Sequence, residues 1–127
     1  MTEQNAPLIL VVDDYQDARE MYAEYLQFSG FRVAEAKNGN EAVEQAFALK
    51  PDLILMDLSL PGMDGWEATR RLKADEATRG IVVVAITGRA LQSDGEACIA
   101  AGCAGFLPKP VDAAQLLRKI PEYLAER

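Results

Sequence analysis

Five short apolar runs, each followed by a longer segment, constrain this chain more than any other feature. The runs are 8–12 (LILVV), 31–36 (FRVAEA), 53–56 (LILM), 81–86 (IVVVAI) and 104–107 (AGFL). Four of them are near-continuous rather than alternating. That is the pattern of strands covered on both faces, as in a parallel sheet flanked by helices. The second run alternates, with Phe31 and Val33 set against Arg32 and Glu35, and suits a sheet edge.

The segments between the runs carry helical spacing. Ala18, Met21, Tyr22, Tyr25 and Leu26 recur at i, i+3, i+4, i+7 and i+8, with Gly30 as the stop. Ala42, Val43, Ala46, Phe47 and Leu49 make a second helix, closed by Lys50-Pro51. Three more open at Asp64 with Glu67, Ser93 with Glu96, and Asp112 with Gln115, each pair at capping-box spacing. Strands alternating with helices predict an α/β three-layer sandwich: a parallel sheet with right-handed crossovers and helices on both faces. Pro121 falls inside the last helical pattern, where it removes a backbone donor, and a kink or restart is expected there.

Composition narrows the chemistry. The chain has 127 residues, half of them hydrophobic, and 13 basic against 20 acidic residues for a net charge of −7. One domain over 1–127, with its core at about 8–124, is expected. Histidine is absent, which removes Ser-His-Asp and Cys-His nucleophilic sites and the common His-containing zinc sites. The acid excess argues against direct nucleic-acid binding, and the short basic groups Arg70/Arg71/Lys73 and Arg118/Lys119 read as solvated helix faces. No apolar stretch reaches the ~20 residues of a membrane helix, and the polar start MTEQNAP is not a signal peptide. Cys98 and Cys103, spaced C-x4-C, fit neither a redox pair nor a metal knuckle. Two buried reduced thiols and a cytoplasmic location are expected.

The ends of the apolar runs collect the polar residues. The first run ends in Asp13-Asp14, the third in Asp57, the fourth in Thr87-Gly88 and the fifth in Pro108-Lys109-Pro110. Ligands of open parallel sheets bind beyond the carboxyl ends of the strands, so these side chains converge on one crevice. Asp13-Asp14 could serve only to cap the helix that follows. With Asp57 at a third strand end, a hard divalent cation held by carboxylates is the better reading, and Mg2+ suits such a donor set. Asp57 stands on a strand-to-loop corner before Leu-Ser-Leu-Pro-Gly, and an aspartate carboxylate can attack phosphorus to form an acyl phosphate. Lys109 offers a mobile positive charge and Thr87 a hydroxyl donor to phosphoryl oxygens.

These residues resemble the receiver domain of two-component response regulators, including the chemotaxis response regulator type. The likeness spans Leu8 to about Leu124 and rests on Asp13-Asp14, Asp57 with LSLPGMDG after it, Thr87, and Lys109-Pro110. It implies the flavodoxin-like strand order 2-1-3-4-5, with five helices. It also implies Asp57 as phosphoacceptor, fed by a sensor histidine kinase or a histidine phosphotransfer protein. Asp14 would ligate Mg2+ directly and Asp13 mainly through water, with Asp57 and the Ser59 backbone carbonyl completing the set; Mn2+ is the alternative ion. Lys109 and the Thr87 hydroxyl would contact the phosphoryl group, and Phe106 matches the aromatic switch position. Ser59 and Arg89 match positions that tune phosphoryl lifetime, and Lys109-Pro110 is a candidate cis bond. The implied readout surface for a downstream protein is the face of the fourth helix, fifth strand and fifth helix, with Arg89, Gln92, Glu96, Phe106, Arg118, Lys119 and Glu122. Pro121 lies on that face and is expected to shape partner choice. Trp66 reads as packing.

Four other readings compete. An aspartyl-phosphate hydrolase of the haloacid-dehalogenase type needs a second acid two residues after the nucleophile, where this chain has Ser59. A flavodoxin-type cofactor module needs a hydroxyl- and glycine-rich loop after the first strand, and Asp-Asp-Tyr there would repel phosphate. A phosphorylation-independent interaction domain would not need the complete residue set. With no output segment after the last helix, a stand-alone receiver that signals through protein contacts is expected first. A receiver excised from a larger regulator or hybrid kinase comes second.

Overall fold

The computed structural model describes residues 6–58, 65–87, 99–109 and 111–126. Along the chain run β1 (Leu8–Val12), α1 (Gln16–Phe28), β2 (Arg32–Ala36), α2 (Gly39–Leu49), β3 (Leu53–Asp57) and α3 (Gly65–Ala74). β4 (Val82–Thr87), β5 (Gly105–Pro108) and a C-terminal helix, α4 (Ala113–Ala125), follow. The helix expected to open at Ser93 falls outside the described residues except for a helical turn at 99–101. The opening Asp64 of α3 and Cys98 lie outside them too.

All the strands pair in parallel, in the order β2-β1-β3-β4-β5. β2 is therefore an edge strand, as its alternation predicts. β3 and β4 end one residue later than their apolar runs, at Asp57 and Thr87. Hydrogen bonding does not stop where hydrophobicity does: Asp57 stands in register with Ile86, and Thr87 with Pro108. β5 likewise begins and ends one residue late, and Phe31 precedes β2.

The continuous runs bury side chains on both faces. Leu10, Val12, Ile54, Met56, Val83 and Ala85 pack with Ala42 and Ala46 of α2 and Ala68 and Leu72 of α3. Ile9, Val11, Leu53, Leu55, Val84 and Ile86 pack with Tyr22 and Leu26 of α1 and Leu116 and Ile120 of α4. Trp66 and Phe106 lie half-buried against the first cluster. The helical stripes are narrower than their periodicity implies, since Met21, Phe47 and Leu49 are exposed. Cys103 is buried.

Local signals set the helix ends. The Asn38 side chain accepts the Glu41 N–H (2.8 Å) to cap α2, and Asp112 accepts the Gln115 N–H (2.7 Å) to cap α4. Lys50 closes α2 in the left-handed region (φ 48°), with its N–H on the Ala46 carbonyl. At Pro121 the expected restart does not occur, and α4 runs through to Ala125. Burial of Leu116 and Ile120, with Tyr123 and Leu124 packed beside them, outweighs the lost Pro121 N–H.

Candidate functional site

β1 and β3 deliver two aspartates to the same end of the sheet, and β5 delivers a lysine above them. Asp13 follows β1 and is fully buried, while Asp57 closes β3 at 2% exposure. The Lys109 ammonium bridges both, 3.0 Å from Asp13 Oδ2 and 3.1 Å from Asp57 Oδ2. The backbone sets this reach, because the Lys109 N–H donates to the Thr87 carbonyl at 2.7 Å and extends the β4–β5 pairing by one residue. Burial acts to lower the Lys109 pKa, but the hydrogen bonds and charges of Asp13 and Asp57 outweigh it and hold the value above normal.

Asp13 does two jobs. Its Oδ1 accepts the Tyr15 N–H at 2.9 Å, but Tyr15 is itself the N-cap of α1 and its cap has no side-chain bond, so Asp13 shapes the turn into the helix rather than capping it. Its Oδ2 faces Lys109 and the crevice. Asp14 is exposed, and among the described residues its carboxylate has no hydrogen bond or ion pair.

Oxygens of Asp13, Asp14 and Asp57 lie within 4.8 Å of one another. Two like charges at that separation repel by about 3 kcal/mol at an effective dielectric of ~20. Three carboxylates against the single Lys109 ammonium leave a formal charge of −2. An oxygen-only donor set with that deficit fits a hard divalent cation such as Mg2+.

The site's supports lie outside the strand-end motif. Gly65 opens α3 directly against β3: a Cβ there would stand 2.8 Å from Leu58 Cα and 3.1 Å from the Asp57 carbonyl carbon. Only glycine lets α3 start so close to the acidic corner. The one sequence signal was the Asp-Gly pair before the third helix. Tyr22 is buried in the core that α1 and α4 share. Burial raises its pKa, the Lys109 charge and the Val111 backbone pull it down, and Asp13 and Asp57 push it up; the net is upward. Arg19, on the inner flank of α1, donates to the Asp13 carbonyl at 3.1 Å.

The structure thus brings together Asp13, Asp14, Asp57 and Lys109, with Thr87 buried at the end of β4, one residue beyond the Ile86 that pairs with Asp57. Phe106 stands on β5 in register with Ala85, on the sheet face opposite Leu107. Ser59, Arg89 and Pro110 lie outside the described residues, as do Gln92 and Glu96. Arg118 and Glu122 are exposed on α4, and Lys119 pairs with Glu122 at 3.6 Å. No helix of the described residues is long and apolar enough to cross a membrane.

Comparison with known proteins converges on one family. The response regulator receiver domain matches residues 9–121. The polar-differentiation response regulator DivK of Brucella anthropi is 33% identical over 118 residues, covering 93% of this chain and 96% of the relative. The chemotaxis protein CheY4 of Vibrio cholerae superposes with a TM-score of 0.89 at 26% identity, covering 93% of this chain and 98% of that one. The receiver domain of the sensor histidine kinase PA1611 of Pseudomonas aeruginosa does so with a TM-score of 0.87 at 36% identity, covering 94% and 98%; its structure has a magnesium ion coordinated in the active-site cleft. This chain belongs to the response regulator receiver family of two-component signalling.

Proposed function

We propose that this chain is a phosphorylation-dependent switch with Asp57 as its phosphoacceptor. The observation that carries the reading is the Asp57 carboxylate, buried at the end of β3 and held by Lys109, with Asp13 and Asp14 within 4.8 Å. A sensor histidine kinase or a histidine phosphotransfer protein supplies the phosphoryl group, because this chain has no histidine of its own. In the transfer, an Asp57 carboxylate oxygen forms the O–P bond as the P–N bond of the donor breaks. The bonding pair leaves with the imidazole nitrogen, which takes up a proton.

Asp13, Asp14 and Asp57, with the Ser59 carbonyl, would hold Mg2+; the magnesium-bound relative supports that ion, and nothing supports Mn2+. When bound, Mg2+ supplies charge compensation for phosphoryl oxygens. The other roles belong to the chain. Lys109 exchanges its hold on Asp13 and Asp57 for a phosphoryl oxygen, and Thr87 donates its hydroxyl to another. The new charge of about −1.5 to −2 favours the conformation in which both contacts form, which shifts a two-state equilibrium. Phe106 turns with Thr87, and Ser59 and Arg89 tune how long the phosphoryl group persists. The chain promotes only its own phosphorylation and dephosphorylation and turns over no separate substrate.

Phosphorylation is read by a protein partner on the face of β5, α4 and the segment before β5, where Phe106, Arg118, Lys119 and Glu122 lie. Pro121 on that face contributes to partner choice, so Pro121→Ala changes partner affinity. One receiver unit over about 8–124 fits the extent of the family match, and it acts in the cytoplasm. Two structural neighbours are receivers of histidine kinases, so a receiver within a larger protein is the second reading, with the same chemistry. Titration with beryllofluoride and Mg2+, followed by amide NMR, tests the switch. Asp57, Thr87, Phe106 and Lys109 should shift together. Shifts confined to Asp13 and Asp14 would mean ion binding without a switch.

A further inference from the structure

We infer that Arg19 is a positioning residue for the acidic site: its two-donor fork sets the Asp13–Asp14 peptide and thereby aims the Asp14 carboxylate. The inference rests on the reading of the site as a divalent-cation site.

Arg19 sits one turn into α1 with its side chain only 16% exposed. Its Nε donates to Glu35 Oε1 at 3.0 Å, and its Nη1 donates to the Asp13 carbonyl at 3.1 Å. Glu35 is a firm anchor, since it lies on β2 in register with Val11, and its carbonyl accepts Gln45 Nε2 at 2.9 Å. The guanidinium is planar, so fixing Nε on Glu35 also fixes the direction of Nη1.

The rest of Asp13 is held as well. Its N–H donates to the Ala36 carbonyl at 3.2 Å, Oδ1 takes the Tyr15 N–H, and Oδ2 takes Lys109. Asp14 has none of this. Its carboxylate is exposed and unpartnered among the described residues, yet it lies within 4.8 Å of the oxygens of Asp13 and Asp57. Something other than its own contacts must aim it. The peptide joining Asp13 to Asp14 is planar, so the bond on the Asp13 carbonyl fixes the plane from which Asp14 departs. Arg19 supplies the side-chain bond to that carbonyl.

Charge and positioning predict opposite signs. Arg19 adds a positive charge beside an acidic site, so by charge alone its removal tightens divalent-cation binding. If it positions Asp14, its removal weakens binding. Losing one hydrogen bond of ordinary strength corresponds to about a fivefold change. Lysine keeps the charge but lacks the planar fork.

The test is calorimetric titration of Mg2+ into the wild-type protein, Arg19→Gln, Arg19→Lys and, as a charge control on α3, Arg70→Gln. Amide NMR relaxation at Asp14 in Mg2+-free protein gives a readout that does not depend on the ion. The expected result is about a fivefold weaker dissociation constant in both Arg19 variants, from the loss of the hydrogen bond. The Asp14 amide should become more mobile, and Arg70→Gln should behave as wild type. Tighter binding in Arg19→Gln, or both Arg19 variants within twofold of wild type, overturns the inference and leaves the cation site standing. Wild-type affinity in Arg19→Lys alone overturns the fork. A wild-type protein that binds no Mg2+ refutes the site reading itself, and this inference with it. If both Arg19 variants fail to fold, Glu35→Gln loosens the Nε anchor while keeping Arg19 and is read by Asp14 amide relaxation in Mg2+-free protein, since loss of the Glu35 charge weakens cation binding by itself; the Asp14 amide should become more mobile, and unchanged relaxation there overturns the inference.

Discussion

Replacing Gly65 with alanine tests how tightly α3 is seated on the phosphoacceptor corner. The added Cβ meets backbone rather than a flexible side chain: Leu58 Cα at 2.8 Å and the Asp57 carbonyl carbon at 3.1 Å, with the Asp57 carbonyl oxygen closer still. Either α3 moves outward or the end of β3 bends. Overpacking of this kind costs about 1–3 kcal/mol. Alanine returns up to ~1 kcal/mol of helix propensity. The expected net loss is about 1–2 kcal/mol, a fall in melting temperature of roughly 3–10 °C for a domain of this size. Gly80 is the control, because a Cβ there meets nothing within 4 Å and its alanine variant should melt at or above wild type. Thermal denaturation followed by circular dichroism measures both. Phosphorylation of Gly65→Ala by acetyl phosphate should also slow, since the strain falls on the residue that carries the acceptor. A Gly65→Ala protein that melts with wild type and labels at the wild-type rate would refute the close seating of α3.

Lys109→Met leaves the buried Asp13 and Asp57 without their shared cation, and should cost about 1–3 kcal/mol because the lysine itself is partly exposed. Mg2+ should then raise the denaturation midpoint of the variant more than that of wild type; equal increments would argue against one shared site. The raised Lys109 pKa gives a contribution fully present below the unfolded value of about 10.5 and lost as pH rises through the higher folded value. Buried Tyr22, also raised, acts in the same direction from about pH 10. Wild type should thus lose stability on the alkaline side more steeply than Lys109→Met, and parallel curves in urea melts across that range would contradict the pairing. Pro121→Ala restores a donor inside a helix that is already continuous and should stabilise the fold by about 1–3 kcal/mol. An unchanged melting temperature would show that α4 has already absorbed the cost.

The strands and the polar residues at their ends were legible because each has a local cause. Leu53 and Leu55 face one cluster while Ile54 and Met56 face the other, so a parallel strand must be apolar throughout. Strand order was not legible in the residues; it came with the family likeness, because crossovers leave no mark in composition. Non-local effects account for the differences. Pro121 obeys a local rule that the burial of Leu116 and Ile120 overrides. Met21 and Phe47 fit the helical period, yet are exposed, because the period does not say how wide a stripe the neighbouring elements cover. Asp57 and Thr87 continue their strands because they pair with neighbours, which polarity conceals. Gly65 and Arg19 are not legible in the sequence for the same reason. Each matters through one contact with the Asp57 or Asp13 backbone, and a sequence does not record which carbonyl a side chain will meet.

The central claim is that Asp57 accepts a phosphoryl group in a site completed by a divalent cation. Intact-mass analysis after incubation with acetyl phosphate, with and without Mg2+, tests it on wild type and Asp57→Asn. The account predicts one phosphoryl adduct on wild type, dependent on Mg2+ and absent from Asp57→Asn. An adduct that persists in Asp57→Asn, or a wild-type protein left unmodified with Mg2+ present, would contradict it.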